Sequence, residues 1–465
     1  MIVIGAGPVG ENAADYATRG GLTAVLVESE LVGGECSYWA CMPSKALLRT
    51  GHAVAAARRL PGVTADFEPA AVLKRRDVIT HGWSDESQVA WATGAGIAVV
   101  RGVGRLAGER TVVVTTTDPD GTVGRRELRA RHAVVVATGS VPVRPPIPGL
   151  DRIRPWFSRD ATSAHQVPGR LGVLGGGVVG VELAQAWARL GSQVTLLARE
   201  ERLLPALEPI AGELVADGLR ADGVDVRLST GLDEVAPAED GAIRLKVGDQ
   251  WVEVDELLLA TGRRPNTGDV GLDTVGLPTS GPLGVDDSGQ VPGLDWLYAV
   301  GDVTGRAPLT HQGKYAARIT GTTIAARAAG VAAEPTPWSE YAATADHHAV
   351  PQVVFTDPEV AAIGRTAARA EADGLAVRVV DLDIAVAGSY LYADDYTGKL
   401  RAVVDTTADV LVGLTFVGPD TAEMLHAATV AVVGEVPLSR LWHAVPAYPT
   451  ITEVWLRLLE AYRYG

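Results

Sequence analysis

Gly33-Gly-Glu-Cys36-Ser-Tyr-Trp-Ala-Cys41-Met-Pro-Ser-Lys45-Ala-Leu-Leu48 is the stretch around which the chain is organised, and it holds both of its cysteines. Two buried thiols that never meet, or half of a zinc site, are the plain alternatives, and the zinc site would need partners that are not nearby. Context favours another reading. A Gly-x-Gly-x-x-Gly turn lies just upstream and Pro-Ser-Lys follows at once, and a dithiol beside a nucleotide-binding turn reads as a redox centre. Geometry constrains the pair. On a regular α-helix, residues five apart have Cα atoms roughly 8–9 Å apart, whereas a disulfide tolerates at most about 7 Å. Cys36 and Cys41 therefore close only across a loop or a distorted first turn. Pro43 suits a helix start, where its missing N–H is not needed, and Ala46, Leu47 and Leu48 continue that helix.

Working outward, Ile2-Val-Ile4 reads as a buried strand and Gly5-Ala-Gly7-Pro-Val-Gly10 as a tight turn opening a helix to about Arg19. Ala24 to Val27 is the next strand and ends at Glu28. This is a βαβ dinucleotide fingerprint: Gly5 permits the turn, Gly7 admits a pyrophosphate, Gly10 lets helix and strand pack, and Glu28 takes the ribose hydroxyls. Residues 51–95 read as helical, chiefly 53–60 and 87–93. From Ile97 to about Val136 the pattern is strand-like, with Asp120-Gly121 as a hairpin signal. Val134 to Ala137 is a buried strand ending in Thr138-Gly139-Ser140, and the Pro-rich Val141–Gly149 reads as a linker.

The pattern then repeats. Leu171 to Leu174 is a strand, Gly175-Gly-Gly177-Val-Val-Gly180 a second fingerprint, and a helix runs through Glu182 to Leu190. Leu257-Leu-Leu-Ala-Thr-Gly262 is the second Ala-Thr-Gly turn. Two nucleotide folds imply two nucleotides, and a flavin with a nicotinamide is the natural pair because hydride passes between them. A site for NAD wants a carboxylate after the second strand. Ala198 stands there, followed by Arg199 and Arg202, which suit a 2′-phosphate by charge and bidentate geometry. NADPH is therefore expected in preference to NADH, with Glu200 and Glu201 as the residues that would neutralise the site.

In this setting Gly-Gly-x-Cys-x-x-x-x-Cys-x-Pro-Ser-Lys resembles the motif of the flavoprotein disulfide reductases, and the resemblance covers nearly the whole chain. It implies an α/β fold with two Rossmann-like dinucleotide-binding domains, for FAD and NAD(P), plus a C-terminal α+β dimerisation domain. The FAD-binding domain would comprise residues 1–150 and 265–345, the NAD(P)-binding domain 151–264, and the dimerisation domain 346–465. Beyond the first fingerprint, Gly34, Glu35, Gly104, Thr138, Gly139, Ser140, Gly262, Asp302 and His311 fall at the family's cofactor-binding places. Cys41 would face the flavin, Cys36 would meet the substrate, and Lys45 would lie near the flavin paired with Glu182. NADPH-using members carry an arginine similar to those after Ala198.

Two departures from the family's pattern are visible. Its cysteines usually enclose small residues and Asn; here Tyr38 and Trp39 stand between them and are expected to narrow the substrate's approach. Near the C-terminus the family has His-Pro-Thr-x-x-Glu, which reaches into the partner subunit's active site. This chain has Tyr448-Pro-Thr-Ile-Thr-Glu453. Tyrosine titrates near 10 and histidine near 6.5, so Tyr448 is a poor base at neutral pH.

Composition sets outer bounds. At 465 residues about three domains are expected. The net charge of −15 argues against nucleic acid and anionic membrane surfaces as partners. No apolar run approaches the length of a membrane span, and no basic stretch precedes the apolar N-terminal residues, so no signal peptide is expected. Two cysteines at redox spacing fit a reducing cytoplasm, and no resident metal site is expected. The expected molecule is a cytoplasmic homodimer with an active site shared between subunits. It would pass hydride from NADPH through FAD to Cys36–Cys41, and on to a disulfide or related small acceptor. A reductase of quinones or other small acceptors, and a dihydrolipoamide dehydrogenase-type subunit of a larger complex, are the alternatives.

Overall fold

The computed structural model describes residues 1–117, 120–239 and 241–465. Contacts divide the chain into two compact units, each assembled from three segments.

The first unit comprises Met1–Pro43, Asp77–Val143 and Arg263–His347. Its centre is a five-stranded parallel sheet in the order Leu297–Ala299, Val134–Val136, Ile2–Ile4, Val25–Glu28, Ala98–Arg101. The strands are near-continuous apolar runs because both faces are covered. Val3, Leu26 and Val135 join one core with Ala13, Ala14, Ala17, Ala317 and Ile324, from helices Pro8–Arg19 and Thr310–Ala328. Ile2, Ile4, Val27, Val134 and Val136 point the other way and meet Leu106, Val112 and Val114 of an antiparallel three-stranded sheet, Val103–Leu106, Thr111–Thr117 and Val123–Arg129. The last two strands flank the Asp120-Gly121 signal, and Gly121 has φ +85°.

The second unit comprises Ser44–Arg76, Arg144–Gly262 and His348–Gly465. It repeats the parallel motif in a four-stranded sheet, ordered Asp225–Arg227, Gln193–Leu197, Arg170–Leu174, Glu256–Leu259. Helices Val178–Arg189 and Pro209–Ala221 pack on it. A five-stranded antiparallel sheet follows, in the order Pro351–Val354, Glu359–Gly364, Val410–Gly418, Lys399–Asp405, Val377–Asp383. Helix Val454–Tyr464 buries Val454, Leu458 and Leu459, three of the positions that helical periodicity groups on one face.

The helical reading of 51–95 needs correction in two places. Helices Cys41–Arg58, Pro69–Ile79 and Glu86–Gly94 occupy the region. Pro61-Gly62 interrupts the first gap, and in the second His81, Gly82 and Trp83 all have positive φ, at 53°, 59° and 59°.

Candidate functional site

The two nucleotide turns share one construction. A Cβ on Gly5 would lie 2.4 Å from the Ala137 carbonyl oxygen, and a Cβ on Gly175 would lie 2.3 Å from that of Ala260. Each fingerprint glycine is thus pressed against the first residue of an Ala-Thr-Gly turn, and with φ of 101° and 121° each adopts a conformation that side chains avoid. This close approach explains why the two motifs recur together. At the third glycine of each turn, Gly10 and Gly180, a Cβ would strike the first glycine's carbonyl oxygen at 2.0 Å. The middle glycines, Gly7 and Gly177, face open space, Gly34 Cα at 3.9 Å being the nearest neighbour of the former.

Around the first turn, one Glu28 oxygen accepts the Ala6 N–H at 2.7 Å and the other accepts the Glu30 N–H at 2.8 Å. Gly34 approaches so closely that its Cβ would lie 2.7 Å from Gly7 Cα, and Gly104 abuts Val27. The Thr138 hydroxyl donates to the Asn266 carbonyl, and the Ser140 hydroxyl donates to Asp302 at 2.6 Å. Arg263 donates to the Ser140 hydroxyl and carbonyl and comes within 3.9 Å of Glu35. Gly139 lies in the turn with φ 71°, and His311 is exposed in the first turn of helix Thr310–Ala328. Glu11 is buried beside the turn with one carboxyl oxygen unpartnered, and burial raises it to about 7. A cradle closed to side chains, a helix N-terminus and an acid at the strand end fit an adenine dinucleotide such as FAD.

At the second turn Gly262 has φ 113°, and Ala198 is buried at the end of its strand. Arg199 and Arg202 are exposed. Among the described residues neither is ion-paired with Glu200 or Glu201, and Arg202 donates to the Pro205 carbonyl at 3.2 Å.

The dithiol sits where two helices meet. Gly34–Tyr38 is a short helix, Trp39 and Ala40 break it, and Cys41 opens helix Cys41–Arg58. The break brings together two sulfurs that a continuous helix would hold apart. Cys36 and Cys41 stand as thiols in hydrogen-bond contact, and Thr310 Oγ1 lies 3.3 Å from the Cys41 sulfur. The Cys36 thiol is pushed up, first by its hydrogen bond with Cys41 and then by burial, while the Thr310 hydroxyl and the Lys314 ammonium oppose the rise. One turn on, Lys45 Nζ lies 2.6 Å from Glu182 Oε2.

Tyr38 does not narrow the approach to the cysteines. It is 1% exposed, and its hydroxyl turns inward to donate to the Val32 carbonyl at 3.1 Å. Trp39 is half-buried against it, the rings meeting edge-on at 5.7 Å. Tyr448 is 77% exposed. Glu453 accepts from Arg457 at 2.8 Å through one oxygen, while the other is buried without a partner.

Sequence reasoning passed over Thr310 and Arg263. Each was marked only by adjacency, Thr310 to His311 at a helix start and Arg263 to the Ala-Thr-Gly turn. Among the described residues, no group of three or more His, Cys, Asp or Glu side chains could hold a metal ion.

Comparison with known proteins bears on this arrangement. Residues 1–329 match the family model described as pyridine nucleotide-disulphide oxidoreductase, and residues 350–458 match its dimerisation domain. The chain is 32% identical to a mercuric reductase of Shigella flexneri, covering 97% of this chain and 79% of that protein. It is also 32% identical to dihydrolipoyl dehydrogenase 2 of Haloarcula marismortui, covering 97% of this chain and 94% of that one. Among solved structures, the HOCl-induced flavoprotein disulfide reductase RclA from Escherichia coli superposes with a TM-score of 0.83 at 25% identity, over 99% of both chains. Likeness of this extent, in sequence and in fold, shows that the chain belongs to the pyridine nucleotide-disulphide oxidoreductase family, the flavoprotein disulfide reductases.

Proposed function

We propose that this protein is a homodimeric NADPH oxidoreductase that delivers electrons to the Cys36–Cys41 pair and from there to a disulfide or related small acceptor. The contact of the two sulfurs at a helix junction, with the Thr310 hydroxyl beside Cys41, carries the reading. Enzymes of this family use FAD and a pyridine nucleotide, which supply hydride transfer when bound.

The chain's own residues divide the remaining work. Residues 1–150 and 265–345 are assigned to FAD. Gly5, Gly7, Gly10, Gly34 and Gly104 shape its cradle, Glu28 takes the ribose, and Thr138 to Ser140 with Glu35, Asp302 and His311 complete the site. Residues 151–264 are assigned to NADPH, held at Gly175, Gly177, Gly180 and Gly262. Arg199 and Arg202 receive the 2′-phosphate, and the lack, among the described residues, of ion pairs from either to Glu200 or Glu201 supports NADPH over NADH. Lys45, fixed by Glu182, supplies a cation four residues after Cys41 on one helix. Cys36 meets the acceptor. As a thiol it needs a base to become the attacking thiolate. Tyr448 and Glu453, in the dimerisation domain of residues 346–465, are assigned to the partner subunit's site, and a phenol there is a weak base.

The acceptor is a small molecule rather than nucleic acid or a membrane surface, in keeping with the charge of −15. Among the described residues, no helix is long and apolar enough to cross a membrane, and a cytoplasmic setting suits the dithiol. Anaerobic reduction with NADPH, followed by disulfides, quinones and metal ions added back in turn, tests the reading. Reoxidation by a disulfide supports it. Reoxidation by quinones alone, with the thiol count unchanged, would replace it with a small-acceptor reductase.

A further inference from the structure

We propose that Trp83 and Tyr38 are positioning residues that hold the loop between Cys36 and Cys41 in the shape its disulfide needs, and so set how readily the pair is oxidised. The proposal rests on the reading of that pair as a redox couple.

The loop needs outside support. Its only regular structure is helix Gly34–Tyr38, and the N–H groups of Trp39 and Ala40 both turn back to the Glu35 carbonyl, at 2.8 and 2.7 Å. A helix this short does not persist by itself, and the carbonyls of its last turn lack partners within it. The carbonyl of Tyr38 finds one in the indole N–H of Trp83, at 3.1 Å. Tyr38 also anchors the loop through its side chain. The buried ring packs against Gly33, where a Cβ would come within 3.0 Å of it. The hydroxyl donates to the Val32 carbonyl at 3.1 Å, with the Ser84 carbonyl at 3.4 Å. Asp85 accepts the N–H of the same Val32 at 2.7 Å. Residues 83–85 thus grip the chain on both sides of Cys36, at Val32 and at Tyr38.

The gripping segment is itself unusual. His81, Gly82 and Trp83 are consecutive residues in the left-handed region, which non-glycine residues rarely enter. Such conformations persist where surrounding structure over-determines them, and they cluster at functional sites. Here the left-handed turn leads directly into the indole that reaches the carbonyl between the two cysteines. Packing alone would be met by a phenylalanine at either position, so the polar atoms of Trp83 and Tyr38 mark a positional role.

Oxidation of the pair forms the S–S bond, releases two protons, and passes two electrons to a disulfide acceptor, whose own S–S bond breaks. A loop that keeps the sulfurs together raises their effective concentration and favours the closed form. Loosening it makes the pair easier to reduce.

The test is to equilibrate holoenzyme in glutathione buffers of graded potential, quench by alkylation, and count protected cysteines by mass. Trp83→Phe keeps the ring and deletes the N–H; Tyr38→Phe deletes the hydroxyl. Each is expected to weaken the Cys36–Cys41 disulfide about fivefold, a shift of about 20 mV to more positive potential. The double variant should shift further, and NADPH-dependent reduction of the flavin should keep its rate. Either single variant reads out the same loop if the other fails to fold. Wild-type potentials in both variants would overturn the proposal. A wild-type protein with no two-electron thiol couple would instead remove the reading on which it rests.

Discussion

The Lys45 ammonium lies 2.6 Å from a Glu182 carboxylate that is 4% exposed, so a charge is buried inside its unit with one cationic partner beside it. The second oxygen of Glu182 accepts the Phe355 N–H at 2.9 Å, and Lys45 Nζ stands 5.0 Å from the Phe355 ring centroid. Removing one partner of a buried pair leaves the other uncompensated, at a cost of roughly 3–5 kcal/mol. Lys45→Met should therefore destabilise the fold by about that much in denaturant titrations, and Lys45→Met with Glu182→Gln should recover most of the loss. A double variant no more stable than Lys45→Met would show that the pair is not coupled.

Glu11 predicts a pH dependence. An unfolded glutamate titrates near 4.3, whereas burial lifts folded Glu11 to about 7, with Lys314 opposing the rise and Glu28 adding to it. A raised carboxyl binds its proton more tightly when folded. Its contribution to stability is complete below about pH 4 and is lost as pH climbs through 7. Glu11→Gln removes that loss. Its stability advantage over wild type should be small at pH 5 and approach roughly 3 kcal/mol at pH 8. An equal difference at both pH values would contradict this assignment.

Arg199 and Arg202 should decide the nicotinamide. Charge-assisted hydrogen bonds to a phosphate contribute roughly 1.5–3 kcal/mol each, so wild-type kcat/KM should favour NADPH by at least about tenfold. Substituting both arginines with alanine should raise KM for NADPH and leave that for NADH in place. Equal use of both cofactors by the wild type would show that Glu200 and Glu201 neutralise the site in solution.

At 77% exposure, Tyr448 is free to act on a partner chain, but a phenol is a poorer general base than the imidazole it replaces. Tyr448→Phe should leave the reduction of bound flavin by NADPH unchanged. Glutathione-disulfide or lipoamide reduction should be slow in the wild type, and Tyr448→His, with Glu453 to orient the ring, should raise it across pH 6–9. Fast wild-type turnover that Tyr448→His abolishes would make the tyrosine a working catalyst.

Much of the fold was legible because its parts are local. Gly5 and Gly175 announce themselves by spacing, and Val134 to Val136 by composition. Tyr38 shows where this ends. Its size was plain from the chain, but its direction is set by Val32, by Ser84 and by the Trp83 indole, which reaches its carbonyl from 45 positions away. The left-handed turn at His81–Trp83 sits in a stretch that carries no turn signal beyond Gly82, and its long-range hydrogen bond, from the Trp83 indole to the Tyr38 carbonyl, leaves no trace in local spacing. Thr310 was missed for the same reason: its hydroxyl meets a sulfur 269 residues away, and no spacing rule spans that distance.

The central claim is that Cys36 and Cys41 cycle between dithiol and disulfide, and a thiol count before and after reduction tests it most directly. Air-oxidised holoenzyme, unfolded under anaerobic conditions and alkylated, should show no reactive cysteine, and the same protein reduced with one or more equivalents of NADPH should show both. Two reactive thiols in the air-oxidised protein, unchanged by NADPH, would contradict the account.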